Sequence, residues 1–535
     1  DGADLPVVNY GYEPNRDLIT SVSNTTEGSV NISSYTYGYD SIGRREHRIE
    51  QTVNNPTGHF YKFDYNDRSE VEGATKYTGI DPTDTANEVT DNGFSYSFDN
   101  IGNRTSSQIL DEVEKTYEAN ALNQYDTISS TVAGSPVVIE PEFDDDGNLI
   151  SDSRFDYTWS AENRLITVTP KSLNAGAIQL EFVYDYQGRR SIKQRKAYDV
   201  GSMSFVAESS INYFYDGWNV VVEDHLDSSG DRETLKRHYW GLDLSGSLQG
   251  AGGVGGLLGS TVGADNNGFG GDRHYYFFDA NGNVTETVDS AGMLTASYEY
   301  GPFGEIVSAT GTYADENTYR FSTKSIDSET GYYYYGYRYY DPQMGRWLSR
   351  DSKSELGGKN LYNFARNNPI LIIDVDGRVW GFASGALGAV VGAVVSVAAN
   401  AAINAVQGKD LSSGWKDAAV SGAVGGFVAG AVATGDVFTA GLGAAGAAVV
   451  GGAAGSLVGQ SITIATDDNT RSAGQVIAEL GAATAIGAVT AGKGHSVLNK
   501  TLSNLNKTKL AQQAAARSQF RQTLNALIKL IVLVQ

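Results

Sequence analysis

The stretch "YGYDSIGRRE", Tyr37–Glu46, decides how this chain is read, because its pattern returns along the sequence. Tyr37 and Tyr39 alternate, which puts their rings on one face of a strand. Asp40 to Gly43 carry turn chemistry, and Arg44 opens a return strand. The same order of aromatic, Asp, a short spacer, Gly and then Arg or Asn recurs in "YSFDNIGNRT" from Tyr96, "PEFDDDGNLI" from Pro141, "FVYDYQGRRS" from Phe182 and "YFFDANGNVT" from Tyr276. Weaker copies start at Tyr157, Tyr213 and Tyr298. Each unit predicts a β-hairpin. A lone hairpin is marginal in water, so the units are expected to stack as a ribbon whose aromatic faces cover one another.

Composition agrees with that reading. The 535 residues include 63 Gly and 32 Tyr, a mixture suited to strands and tight turns. With no Cys, disulfides, thiolate metal sites and a Cys nucleophile are excluded. The formal charge of −23 would repel phosphate, so the β body is not expected to bind nucleic acid. The six histidines are scattered with no pair at metal-ligand spacing, and the pattern calls for no cofactor or metal. The opening "DGADLPVVNYGYEPNRDLIT" lacks the basic start and apolar run of a signal peptide. It reads as the middle of a repeat, which suggests a longer precursor.

A second stretch, "GYYYYGYRYYDPQMGRWLSRD" (Gly331–Asp351), places seven tyrosines in its first ten residues. Tyr332, Tyr334 and the tyrosines from Tyr337 to Tyr340 are expected to stack on neighbouring hairpins as the closing strand system. Together with "YWGLDLSGSLQGAGGVGGLL" (Tyr239–Leu258), "YEYGPFGE" from Tyr298 and "GGKNLYNFARNNPILIIDVDG" (Gly357–Gly377), it resembles the bacterial Rhs or YD-repeat proteins, related to teneurins and to the cocoon component of Tc toxins. The resemblance runs from about Tyr10 to Arg378 and implies a mainly β fold, a hairpin ribbon forming a shell or open barrel around a C-terminal cargo.

The resemblance also implies an autoproteolytic element. In that family two aspartates act like an aspartic protease and cut after a following Leu. The matching residues are Asp351 and Asp374, and the matching scissile bond joins Arg378 to Val379. Two neighbouring carboxylates do not both ionise cheaply, so one serves as acid and the other activates water. Arg350 is expected to orient or polarise the pair. The sequence departs from the family pattern at Ser352 and Val375, which replace prolines, at Ser354, which replaces a glycine, and at Arg378, where Leu is usual. The bland alternative is that both aspartates are turn residues.

Residues 379–535 read as a different protein. No charge falls between Val379 and Gly408, and Gly recurs every fourth residue at Gly381 and Gly385, and again at Gly422, Gly426 and Gly430. That spacing matches the small-residue packing of membrane helices. From Leu480 onwards the chain has no acidic residue, which fits a basic interfacial helix. The expected division is therefore 1–330, a repeat shell; 331–378, the Rhs-associated core with its cleavage motif; and 379–535, a glycine-zipper helical region.

The leading expectation is a secreted or surface-displayed Rhs-type polymorphic toxin fragment, whose shell holds a self-cleaved, membrane-active cargo. Its only enzymatic act would be self-cleavage. The partners implied are its own C-terminal cargo, a target membrane, and an immunity protein or secretion apparatus. The alternative is a non-enzymatic cell-surface adhesion or wall-associated protein with a helical anchor. The glycine-rich "GAGGVGGLLGST", Gly250–Thr261, is expected to be a flexible loop, since no Lys precedes its Ser-Thr pair as in a phosphate-binding loop.

Overall fold

The computed structural model describes residues 6–382, apart from 17, 27–29, 264–269, 357 and 379. The glycine-zipper and basic C-terminal segments expected in 379–535 lie outside the described residues, beyond the short strand Trp380–Phe382. Among the described residues the structure is almost entirely antiparallel β, and no helix is long and apolar enough to cross a membrane.

Two large sheets account for most of it. One has 11 strands, from Pro6–Tyr12 to Ser135–Ile139, and the other has 14, from Glu142–Phe143 to Ile306–Thr310. In both, every strand pairs with its neighbour in sequence. This topology follows from the hairpin repeat, since a short turn can join only antiparallel neighbours.

The repeated turn explains its own residues. Asp40 Oδ1 accepts the N–H groups of Ile42 (3.0 Å) and Arg44 (2.8 Å), while Arg44 Nε donates to Oδ2 of the same aspartate at 2.7 Å. Gly43 sits at φ +90, a region that L side chains avoid. The strand register shifts beside the turn, between Gly38 and Tyr39, the mark of a bulge. Asp185 with Arg189 repeats this geometry, and Asp99 with Asn103, Asp144 with Asn148 and Asp279 with Asn283 repeat it with an amide in place of the guanidinium. The Arg or Asn after the glycine is thus the second half of the turn's own hydrogen-bond set.

The tyrosine run does not extend the ribbon. It builds a separate four-stranded sheet, of Ser325–Asp327, Tyr332–Tyr334, Tyr339–Asp341 and Arg346–Trp347. Both faces of this sheet are buried. Tyr333, Tyr335 and Tyr340 join Phe321, Trp347 and Phe364 in one cluster, and Tyr332 and Tyr339 join Leu149, Tyr157, Leu180 and Phe182 in another. Tyr340 stacks on Phe364 with ring centroids 3.9 Å apart. Alternation along a strand buried on both faces accounts for the density of tyrosine: rings on either side have a core to enter, and the Tyr340 hydroxyl donates to the Phe303 carbonyl there (2.7 Å).

The glycine-rich stretch is likewise ordered. Leu257–Val262 is a strand of the 14-stranded sheet, and the N–H groups of Ala251 and Gly253 donate to Asp243 Oδ2. Its glycines permit close backbone approach rather than looseness.

Candidate functional site

Asp351 follows the strand Arg346–Trp347 and is fixed by main-chain bonds. Trp347 donates to the Tyr362 carbonyl and Asp351 to the Leu361 carbonyl, each at 3.0 Å. The "NLYNFARNNP" block that supplies those carbonyls is anchored on the repeat turns. Asn360 donates to Asn103 Oδ1 (2.8 Å), Tyr362 hydroxyl to the Gly147 carbonyl (2.8 Å), and Asn367 to Glu70 Oε1 and the Gly102 carbonyl (both 2.9 Å). Gly147 is needed twice, for φ +78 and because a Cβ there would lie 2.6 Å from the Tyr362 hydroxyl.

Asp374 ends the strand Ile372–Asp374, which pairs antiparallel with Trp380–Phe382, Asp374 opposite Trp380. Arg378 lies in the segment joining these two strands; Val379 lies outside the described residues. Asp374 Oδ1 caps the turn, accepting the N–H groups of Asp376 (3.2 Å) and Gly377 (2.7 Å). The turn-residue reading therefore describes one oxygen of this carboxyl group. The other faces Arg338.

Arg338 joins the parts of the site. Its Nη2 stands 2.9 Å from Asp351 Oδ2 and 3.9 Å from Asp374 Oδ2. Nη1 donates to the Leu361 carbonyl (3.1 Å) and Nε to the carbonyl of Gly377, the residue before Arg378. The guanidinium is buried and lies 4.2 Å over the Trp347 ring. One side chain thus meets both aspartates and the backbone leading to the expected scissile bond. The sequence reading passed over Arg338 because it sits inside the tyrosine run; the available signal was a lone cation in a segment expected to be buried.

Arg350 takes a different place from the one expected. Its guanidinium donates to the carbonyls of Asp145 (3.2 Å) and Asp146, on the turn around Gly147. Successive residues of an extended segment face opposite sides, so adjacency to Asp351 carries Arg350 away from the pair.

The two carboxylates differ in environment. Burial pushes Asp374 up to about 7; the charge of Asp376 adds to the rise, while Arg338 and the N–H groups of Gly377 and Asp376 oppose it. Asp351 takes the short ion pair with Arg338, and its Oδ1 accepts the Lys353 N–H at 2.7 Å. A carboxyl group that keeps its proton near neutrality beside an ion-paired carboxylate has the makings of an acid and a base. Both line a cavity of about 250 Å³ together with Arg338, Glu70, Lys359 and Arg366. Several water molecules fit in that volume, at about 30 Å³ each.

Arg378, where the family pattern has Leu, is held by a charge and by a ring. Its guanidinium pairs with Asp376 Oδ2 at 2.6 Å and lies 3.3 Å over the Tyr337 ring. Among the described residues no group of three or more His, Asp or Glu side chains forms a metal cluster.

Residues 268–370 match the teneurin YD-shell family, a span that contains Asp351 and ends before Asp374. The tRNA nuclease WapA of Bacillus subtilis (strain 168) is 29% identical over 303 residues, 54% of this chain and 11% of that protein. The toxin subunit YenC1 of Yersinia entomophaga is 43% identical over 98 residues, 18% of this chain and 10% of that one. The chain thus spans about a tenth of the length of these relatives. The Tc holotoxin pore of Photorhabdus luminescens aligns with 70% of this chain and 20% of that one, at 16% identity and a TM-score of 0.44.

Proposed function

Because the chain belongs to the Rhs/YD-repeat family, we propose that it is the shell-forming part of a secreted or surface-displayed polymorphic toxin that cuts itself after Arg378 and frees residues 379–535 as a membrane-active cargo. The observation that carries the cleavage reading is the convergence of Asp351 and Asp374 on Arg338, beside the segment that holds Arg378. Asp351 takes a proton from water, whose oxygen adds to the Arg378 carbonyl carbon. Asp374 gives its proton to the departing Val379 nitrogen. The C–N bond breaks, leaving a carboxyl end at Arg378 and an amino end at Val379. Arg338 holds Asp351 in place and, through the Gly377 carbonyl, fixes the approach of the substrate backbone.

The cargo reading rests on the uncharged glycine-spaced runs of 379–535 and their basic end. The test of cleavage follows the full-length protein over time on denaturing gels at several protein concentrations. An intramolecular cut gives a fragment at a rate independent of concentration and absent in Asp351→Asn; a rate that scales with concentration, or an equal rate in the variant, refutes it. For the cargo, dye release from anionic vesicles by the wild type, and none by Asp374→Asn, is the expected result; equal release by both would separate membrane action from cleavage.

A further inference from the structure

Lys324 is a buried cation outside the aspartate pair and its arginine. It follows the turn Phe321–Thr323, in which Ser322 and Thr323 take φ 51 and 52, a conformation costly for residues with side chains. The turn is held in that form by the repeat: Ser322 N–H donates to Asn283 Oδ1 (2.8 Å), Thr323 hydroxyl to the Gly282 carbonyl (2.6 Å), and Gly255 N–H to Thr323 Oγ1 (2.8 Å). From there the ammonium reaches two carbonyls, those of Gly252 and Val375, each at 2.8 Å. Val375 directly follows Asp374. Gly252 lies against it so closely that a Cβ would come 2.0 Å from the Val375 oxygen, and its φ of +66 favours glycine as well.

We propose that Lys324 is a positioning residue for self-cleavage, clamping the turn after Asp374 to the glycine loop of the repeat sheet so that the cut waits for that sheet to be in place. The proposal rests on the cleavage reading above. Its physical basis is that the Asp374–Arg378 turn is otherwise tied mainly by its own hydrogen bonds, by Arg338 and by the Tyr337 N–H on the Asp376 carbonyl (3.0 Å). A cation bridging two carbonyls from segments far apart in sequence fixes the position of that turn only once both segments have folded. Lys324 faces the carboxyl groups of Asp374, Asp376 and Asp243 and the Tyr335 ring, and burial pulls it down to about 8 against the attraction of those three aspartates.

The experiment measures self-cleavage of the full-length protein against pH by intact mass for the wild type, Lys324→Met, Lys324→Arg and Gly252→Ala. The wild-type rate is expected to fall as Asp374 loses its proton near pH 7, and to fall more steeply above about 8 as the ammonium loses its own. Lys324→Met should slow cleavage by roughly 100-fold, the order of effect of a small misplacement at a reacting centre, and lose the steeper alkaline portion. Lys324→Arg should recover part of the rate, and Gly252→Ala should slow cleavage while retaining the steep portion. A Lys324→Met protein that cleaves at the wild-type rate, or slowly with the steep portion intact, overturns the proposal. If the wild type gives one mass at every pH, the cleavage reading fails, and amide exchange at Asp376 and Gly377 then judges the clamp: faster exchange in Lys324→Met supports it, and unchanged exchange overturns it.

Discussion

Glu286→Gln tests how the two large sheets meet. Glu286 lies on the strand Val284–Val288 of the 14-stranded sheet, is 1% exposed, and accepts hydrogen bonds from Ser33 Oγ (2.6 Å) and Tyr35 hydroxyl (3.1 Å) on the 11-stranded sheet. Burial raises it from 4.5 to about 7, with Glu50 adding a smaller rise against the donors. Between these values the folded protein keeps a proton that the unfolded chain has lost, so raising the pH favours unfolding. The stability is fully present below pH 4.5 and is lost as pH rises through about 7. A shift of this size is worth about 3 kcal/mol. Gln keeps an acceptor but does not ionise; its amide N–H₂ meets one hydroxyl that must turn to accept, at a cost of about 1 kcal/mol. Denaturant unfolding of wild type and variant should therefore give a difference that moves by about 2.5 kcal/mol in favour of Gln between pH 5 and pH 8, with Gln slightly the less stable at the acid end. A difference that stays constant across this range would refute a buried, proton-holding glutamate at the seam.

Arg338→Met should abolish the cleavage fragment and also destabilise the fold, by about 3 kcal/mol or more, because Asp351 is left without its charge partner; urea unfolding and gel analysis read both effects. Tyr340→Ala removes a ring with 0% exposure stacked on Phe364 and should cost about 3–5 kcal/mol, read as a lowered denaturation midpoint. Gly147→Ala meets both a positive φ and the Tyr362 hydroxyl, and should loosen the "NLY" block, slowing cleavage while the distant strands keep their amide-exchange protection. Arg350→Ala, which removes the hydrogen bonds to the Asp145 and Asp146 carbonyls, should leave the pH at which the cleavage rate is half-maximal unchanged.

The hairpin ribbon was legible because its signals are local. Asp, Gly and the following Arg or Asn close their own turn within five residues, so the sequence carries the whole hydrogen-bond set. The pairing order follows at once from such turns. What could not be read depends on segments far apart. Tyr332 and Tyr333 are adjacent yet enter different clusters, one with Tyr157 and Phe182 and the other with Tyr298 and Phe321. Asp351 and Asp374 were singled out by family resemblance, but their shared guanidinium comes from Arg338, and the neighbour in sequence, Arg350, serves a turn instead. The glycine-rich stretch looked loose because composition records the absence of side chains and not the backbone that occupies the space, here the Val375 carbonyl against Gly252.

The central claim is that paired aspartates cut this chain after Arg378, and intact mass spectrometry of the denatured full-length protein addresses it directly. Wild type is expected to give two masses that meet at the Arg378–Val379 bond, while Asp351→Asn and Asp374→Asn each give one. A single mass in all three proteins would contradict the account and favour a surface protein that keeps its C-terminal region covalently attached.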